Sequence, residues 1–315
     1  MRTEPIDLVY TLVDDSFPGF QEERARYATT AHDSDRRRTR DNLDLLKYSL
    51  RSIERFAPWL RNIYIVTCSP QAPQWLKADH PRIRMIYHEE IMPPELLPSF
   101  NAFAIESFLH KIPGLSKRFV HFNDDMLLLR PAGRDLFETE DGRPIFYFHG
   151  LLPSSSKPIN ESNFPHTSGR KNCARALDRV FGRRQHWEQA HHPRIVDCDG
   201  MEEIIGVWPE EFDRTRAARF RQHDTILPHK FLASYMTENH TAEAVGPSTT
   251  ARLMYIVFLC NSVVRNRWRI FRAKQRNPVF LCLNDAFGAY VHPPTEEAAK
   301  KLLEQTFPDA SSFET

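Results

Sequence analysis

The sequence predicts an α/β protein built on a doubly wound, mostly parallel sheet, and three observations lead there. Apolar, β-rich runs alternate with helix-spaced stretches from Ile6 to Asp125. Three of the apolar runs end in an acidic or amide step, and the composition, 41% hydrophobic and 26% charged, is that of an ordinary globular chain. Strands alternating with helices are the signature of βα units whose strands lie parallel.

The elements follow in order. Ile6 to Val13 is a strand stopped by Asp14-Asp15-Ser16, and an arginine-heavy loop, Arg36 to Arg40, leads to Asn42. Leu43, Leu46, Leu50, Ile53 and Phe56 then recur at helical spacing until Pro58 ends the helix. Asn62 to Thr67 reads as a second strand, Pro73 to Leu76 as a short helix and Arg82 to Tyr87 as a third strand. Phe100 to Leu109 is helical, and Arg118 to Phe122 is a fourth strand running into Asn123-Asp124-Asp125. Leu151 to Tyr235 is richer in Pro, His, Arg and Asn, with helices near Ala174 to Phe181 and Asp199 to Gly206, as in an insertion or lid. An apolar segment, Leu253 to Val264, precedes a strand from Val279 to Leu283 ending on Asn284-Asp285, then an amphipathic helix near Glu296 to Thr306.

Composition excludes several classes. With 42 basic against 41 acidic residues the net charge is +1, which leaves no electrostatic footprint for general nucleic-acid binding. Cys68, Cys173, Cys198, Cys260 and Cys282 contain no CxxC pair and fit neither a disulfide framework nor a zinc knuckle, so a reducing compartment is expected. The N-terminus places Glu4 and Asp7 where a signal peptide needs an apolar run. Leu253 to Val264 is interrupted by Asn261 and falls short of the roughly 20 residues that cross a bilayer. A soluble cytoplasmic protein without a transmembrane segment is therefore expected. The sequons at Asn160 and Asn239 match a pattern common by chance.

Three constellations carry candidate chemistry. Asp14-Asp15, Asn123-Asp124-Asp125 and Asn284-Asp285 each follow an apolar strand, and in open α/β sheets ligands bind at those carboxyl ends. Carboxylates and amides converging there are the hard oxygen ligands of Mg²⁺; the plainer alternative is that Asp and Asn act as turn formers and caps. His191-His192-Pro193 precedes Asp197, the pairing of a general base with an orienting carboxylate, against the alternative of a solvated or core histidine. His110, His121 and His149 are taken as structural. Arg214, Arg216, Arg219 and Arg221 would point one way in an extended segment, as a phosphate clamp requires. A solvated basic face paired with Glu210, Glu211 and Asp213 is the alternative, and Arg36, Arg37, Arg38 and Arg40 admit the same two readings.

IDLVYTLVDDS resembles the first conserved block of the Stealth family of sugar-1-phosphate transferases, which includes bacterial capsule polymerases and the catalytic subunit of the lysosomal N-acetylglucosamine-1-phosphotransferase. A second block is similar through Arg40-Asp41-Asn42, LKYSLRSIERFAPWLRNIYIVT, PRIRMIYHEEI, RFVHFNDDM and Arg130-Pro131; a third through HHPRIVD and WPEEFDRTRAARFR; a fourth through FLCLNDA. The resemblance implies a glycosyltransferase-A-like (Rossmann-like) sheet with a helical lid. It also implies a UDP-sugar donor, Mg²⁺ or Mn²⁺, and transfer of a sugar-1-phosphate to a glycan acceptor with release of UMP in capsule or cell-surface polysaccharide synthesis. Asp124, Asp125 and Asp285 would hold the metal, and Asp14, Asp15, Arg40, Asn42, Asn123 and Asn284 the donor. His191 matches the third-block histidine and Arg221 the arginine downstream, with Asp197 beside them. Leu12 and Asp15 stand where the family usually has Trp and Gly, and Ala218 where it often has His, which leaves the sugar open.

On this reading residues 1–315 form one catalytic domain, with a nucleotide-sugar half at 1–150, a lid at 151–250 and a return to the sheet at 251–315. Any membrane association would be peripheral, at the inner face, through a capsule-synthesis complex. Two rivals stand beside it: a metal-dependent glycosyltransferase that releases UDP, and a silent carbohydrate-binding homologue.

Overall fold

The computed structural model describes residues 4–30, 32–33, 35, 39–159, 164–182 and 185–315. Arg36, Arg37 and Arg38 and the sequon at Asn160 lie outside them. Strands run Asp7–Thr11 (β1), Ile63–Thr67 (β2), Ile83–Tyr87 (β3), Arg118–Asn123 (β4), Met126–Leu128 (β5), Ile145–Leu151 (β6), Trp187–Gln189 (β7), Arg194–Asp197 (β8), Glu243–Val245 (β9), Met254–Leu259 (β10) and Phe280–Asp285 (β11). Helices run Phe20–Tyr27 (α1), Leu45–Phe56 (α2), His88–Ile91 (α3), Ala102–Glu106 (α4), Pro165–Phe181 (α5), Cys198–Val207 (α6), Pro209–Ala217 (α7), Pro228–Glu238 (α8), Pro247–Leu253 (α9), Val263–Arg276 (α10) and Pro293–Thr306 (α11).

The chain divides into two bodies. One, the acidic body, comprises Leu8–Met85, His121–Arg134 and Ala251–Thr315; the other, the histidine body, comprises Met1–Asp7, Ile86–Val120 and Asp135–Thr250. Residues 86–120 and 135–250 thus lie in one body and residues 251–315 in the other.

In the acidic body β3, β2, β1 and β4 lie side by side in that order. β1 and β2 are parallel, Leu8 opposite Ile63 and Thr11 opposite Val66, as the βα rhythm predicts. A separate sheet has the order β10-β11-β5, with β10 and β11 parallel and β5 antiparallel, Cys282 opposite Met126. The expected single sheet is thus divided. Helix α2 ties the parts together through buried hydroxyls. Ser49 Oγ donates to the Met126 carbonyl at 2.5 Å and meets the Tyr10 hydroxyl at 2.6 Å, while Ser52 Oγ accepts from Leu128 N–H at 3.0 Å. These bonds fix the start of β5, and with it Asp124-Asp125 just upstream. Leu127, Val257, Leu259, Leu281, Leu283 and Ile270 fill the adjoining core.

Arg51, also on α2, is 7% exposed and donates to both Glu314 oxygens at 2.8 and 2.7 Å, to Glu304 at 3.1 Å and to the Phe307 carbonyl at 2.6 Å. Burial alone would raise the Glu314 carboxyl, but Arg51 and Ser311 outweigh it and hold it down to about 2. Because the folded value lies below the unfolded one, this contribution is complete above pH ~4.5 and is lost as pH falls through about 2. Arg51→Ala leaves the buried Glu314 carboxylate to Lys47, 3.7 Å away, so chemical denaturation at neutral pH is expected to show a loss of about 3 kcal/mol.

In the histidine body a sheet of order β7-β6-β9 pairs β6 antiparallel with β7 and parallel with β9. β8 neighbours β4, whose first half, Arg118 to Val120, belongs to this body. Proline at the first turn starts α5, α7 and α8, where its missing N–H costs nothing. Trp208 packs on Phe231 at 4.4 Å and Tyr235 at 5.4 Å, and Gly200 lets α6 approach α8, since a Cβ there would sit 3.1 Å from Met236 Sδ.

Two sequence expectations fail. Pro73 to Leu76 is a turn, with Leu76 bridged to Glu314. Arg214 and Arg216 lie on a helix, so the extended arginine ladder does not form. Arg214 pairs with Glu211 at 3.6 Å, Arg216 donates to Ser107 Oγ at 3.0 Å, and Arg219 donates to the Pro98 carbonyl at 2.9 Å. These three serve the fold, and only Arg221 remains from the set as a candidate.

Candidate functional site

The acidic body gathers carboxylates from distant stretches. Asp14-Asp15 follow β1, Asp124-Asp125 follow β4, and Asp41 precedes α2, where its Oδ1 accepts the Leu45 N–H at 3.2 Å. Burial raises the Asp41 carboxyl to about 6, and Asp44 and Asp14 push it the same way. Asp124 is driven well above the ordinary carboxylate range by burial, then by Asp41 and Asp125. Each acid therefore feels the next, and Asp41 links Asp14 to Asp124. With strand order 3-2-1-4 the winding reverses between β1 and β4, the switch point where open α/β sheets bind ligands.

Beside this cluster Cys282 Sγ donates to Asp125 Oδ2 at 3.2 Å. Burial, then Asp125 and Asp124, pushes the thiol far up, so in the metal-free protein it is protonated. Asn123 Oδ1 is buried and, among the described residues, has no hydrogen-bond partner. Packed carboxylates that resist ionising together, next to an unpaired amide oxygen, make an all-oxygen donor set suited to a hard divalent cation such as Mg²⁺ or Mn²⁺. Asp124, Asp125 and Asn123 supply oxygens that could hold it.

The remaining acidic candidates are engaged otherwise. Asp285 Oδ2 accepts from Arg40 Nε at 2.8 Å and also from Arg40 Nη2, while its Oδ1 accepts from Phe287 N–H at 2.9 Å. It therefore acts as the counter-ion that anchors Arg40. Asp15 accepts from Thr39 Oγ1 at 3.1 Å, and Asp14 Oδ1 caps its own turn through Ser16 N–H at 2.9 Å. The Asn42 amide interacts with Glu296, and Asn284 lies opposite Phe258 on β11.

A stability consequence follows for Asp41. Its folded pKa lies above the unfolded one, so metal-free protein loses stability as pH rises from about 4 through about 6, by on the order of 3 kcal/mol from this group. The buried histidines act oppositely over an overlapping window. The parent's own slope is thus mixed, and the difference from Asp41→Asn isolates the term. In chelator, urea titrations at pH 4 and 7 are expected to show the variant gaining stability over the parent at the higher pH only.

The histidine body holds a second cluster. Lys230 Nζ lies 2.9 Å from Glu188 Oε1, Arg170 pairs with the other Glu188 oxygen, and His149 lies 3.9 Å from it. Arg194 and His229 each approach Glu106 at 3.7 Å. Arg221 lies over the Phe103 ring at 4.6 Å and within electrostatic reach of Glu106 and His191. Four cations, Arg170, Arg194, Arg221 and Lys230, thus face two carboxylates, an excess that suits a phosphate. Burial raises the Glu106 carboxyl and lowers the Lys230 ammonium. Burial, then Arg194, Lys230 and Arg221, pulls His191 down to about 3, so its imidazole is neutral at physiological pH.

Among the sequence candidates in this body, His191 and Arg221 belong to the cluster. Asp197 does not orient His191: its Oδ1 accepts the Gly200 N–H at 2.9 Å as the cap of α6, and its Oδ2 accepts from Arg118 at 2.8 Å. His110, taken as structural, lies 3.2 Å from Glu202, and in the acidic body His121, taken likewise, is fully buried against Thr11 Oγ1 at 3.2 Å. His149 differs from that expectation by standing in the cluster. Asp41, Glu106, Glu188, Arg194 and Lys230 were missed; the Arg40-Asp41-Asn42 triplet before a helix was the one visible signal.

Comparison with known proteins bears on both clusters. Residues 38–146 match the family model described as Stealth protein CR2, conserved region 2, and residues 190–229 match Stealth protein CR3, conserved region 3. The chain carries conserved regions 2 and 3 of the Stealth family. Arg40, Asp41, Asp124 and Asp125 fall in the CR2 match and His191, Asp197 and Arg221 in the CR3 match, while Asp14 and Asp285 lie outside both. Two similar proteins are named as polysaccharide phosphotransferases. Exopolysaccharide phosphotransferase SCO2594 of Streptomyces coelicolor is 33% identical over 99% of this chain and 52% of its own length. Capsular polysaccharide phosphotransferase SacB of Neisseria meningitidis serogroup A is 31% identical over 98% of this chain and 57% of its own. The chain spans about half the length of these curated relatives. A solved galactosyltransferase, LgtC with donor and acceptor sugar analogues, aligns over 98% of this chain and 97% of its own at 10% identity, with a TM-score of 0.47.

Proposed function

We propose that this chain transfers a sugar-1-phosphate from a UDP-sugar to a hydroxyl of an acceptor glycan, releasing UMP, in capsular or exopolysaccharide synthesis. The reading is carried by the partly buried Asp41-Asp124-Asp125 cluster at the β1/β4 switch point, in a family whose relatives are named as polysaccharide phosphotransferases. Asp124, Asp125 and Asn123 hold Mg²⁺ or Mn²⁺, which when bound supplies neutralising charge for the phosphate groups. Arg40, anchored by Asp285, and Asp14 position the donor. Phosphoryl transfer rests mainly on positioning and electrostatics, so these residues need not form a covalent bond to the substrate.

His191 takes the proton of the acceptor hydroxyl as its oxygen attacks the β-phosphorus. In the free protein its imidazole is a weak base because Arg194, Lys230 and Arg221 surround it. An anionic phosphate among those cations cancels their effect and raises its proton affinity, so substrate binding itself prepares the base. Arg221 neutralises the non-bridging phosphate oxygens.

The nucleotide product tests this reading. With a UDP-sugar, a divalent cation and an acceptor, the expected product is UMP together with a phosphodiester-linked sugar, detected by mass and phosphorus NMR. UDP with a phosphate-free glycoside would make the protein a glycosyltransferase, and donor binding without turnover would make it a carbohydrate-binding homologue.

A further inference from the structure

Helix α10 reads VVRNRWRIFRAKQR, with six basic residues and no acidic one. Asn266, Ile270 and Ala273 form its buried side, and Ile270 and Ala273 belong to the core of the acidic body. Val264, Trp268 and Phe271, spaced at i, i+4 and i+7, are 77%, 57% and 57% exposed. At about 100° per residue this stripe lies opposite the buried side. The same spacing sets Arg265, Arg269, Arg272 and Arg276 along one flank and Arg267 and Lys274 along the other. Arg272 lies over the Trp268 ring at 5.1 Å. At the last turn a cavity of about 430 Å³ is lined by Arg130, Arg252 and Arg276 with Ala251 and Asn277.

A helix with one side in the protein core, an apolar stripe turned outward and cations on both flanks has the layout of an interfacial anchor. We propose that α10 docks the acidic body onto an anionic bilayer: Trp268, Phe271 and Val264 enter the headgroup boundary, the flanking arginines meet lipid phosphates, and the arginine-lined cavity takes a headgroup. Charge selects this occupant. A second copy would set six cations against six, and a neutral bilayer leaves the flanks without counter-ions. The helix lies in the membrane plane, because its 14 residues reach only about 21 Å, less than the ~30 Å hydrocarbon core. Among the described residues no helix is long and apolar enough to cross a membrane. The inference is independent of the catalytic reading.

Co-sedimentation of the 315-residue chain with vesicles tests it. Vesicles of phosphatidylglycerol and phosphatidylcholine in equal parts are expected to bind at least about tenfold more tightly than pure phosphatidylcholine, and molar salt to release most of the protein. Trp268→Ser combined with Phe271→Ser is expected to weaken binding about tenfold or more while leaving the melting temperature and helicity unchanged, since both side chains face water. Equal binding by the double variant, equal binding to both vesicle types or binding to neither overturns the proposal. Displacement by inorganic phosphate at matched ionic strength overturns it in favour of a free-phosphate site. A dimer abolished by the double variant, without vesicle binding, overturns it in favour of a second copy.

Discussion

Asp124→Asn is expected to abolish turnover and, at the same time, to raise the melting temperature of the metal-free protein. The two effects have one cause. Asp124 is partly buried beside Asp41 and Asp125, charges of its own sign, so its carboxylate destabilises the fold until a cation joins it. Asn keeps the shape and removes the charge, and a gain on the order of 5 °C in chelator is expected. Adding Mn²⁺ should stabilise the parent by mass action and leave the variant unchanged. Activity should fall by at least about 10³-fold, as expected when a group that places transition-state charge stabilisation is lost. Thermal scans with and without Mn²⁺, paired with a nucleotide-release assay, separate this outcome from simple misfolding, which would lower both quantities.

His191→Gln carries the second large effect, a fall in kcat of roughly 10²–10⁴-fold with the fold intact. The substitution also moves stability in a calculable direction. His191 is held down to about 3 by burial and the surrounding cations. Its contribution is therefore present above the unfolded value of about 6.5 and is lost as pH falls toward 3. The variant lacks that penalty and is expected to tolerate acid better than the parent. In the parent, the acid limb of kcat should lie at higher pH than that of kcat/KM, because the first reports the substrate complex and the second the free protein. Coincident limbs would remove phosphate-induced activation of the imidazole from the mechanism.

Much of the fold was legible because long apolar runs bounded by turn residues have few alternatives: β1 to β3 fall within the predicted stretches, and β4 and β11 run on past theirs to Asn123 and Asp285. Strands β5, β7 and β9 are three residues each and carry no period to read. Pro73 to Leu76 failed as a helix because a bridge to distant Glu314 decides its conformation. Of the two readings open for the arginines, the extended clamp fails at Arg214 and Arg216 because Pro209 starts a helix that runs to Ala217, where alternate residues do not share a face. In the site, Asp124 and Asp125 were visible as a strand-ending pair. Asp41 was not singled out because its effect depends on Asp14 and Asp124, far away in sequence. Glu106, Arg194 and Lys230 are single charges within apolar elements, and only the packing of the histidine body reveals that they act as a group.

The most direct measurement is a titration of the metal-free protein with Mn²⁺ followed by electron paramagnetic resonance. One saturable Mn²⁺ per chain is predicted, weakening as pH drops below about 6 and the carboxyl of Asp41 protonates, and absent in Asp124→Asn. Unsaturable binding, or the same single site in Asp124→Asn, would contradict a cation held by these carboxylates.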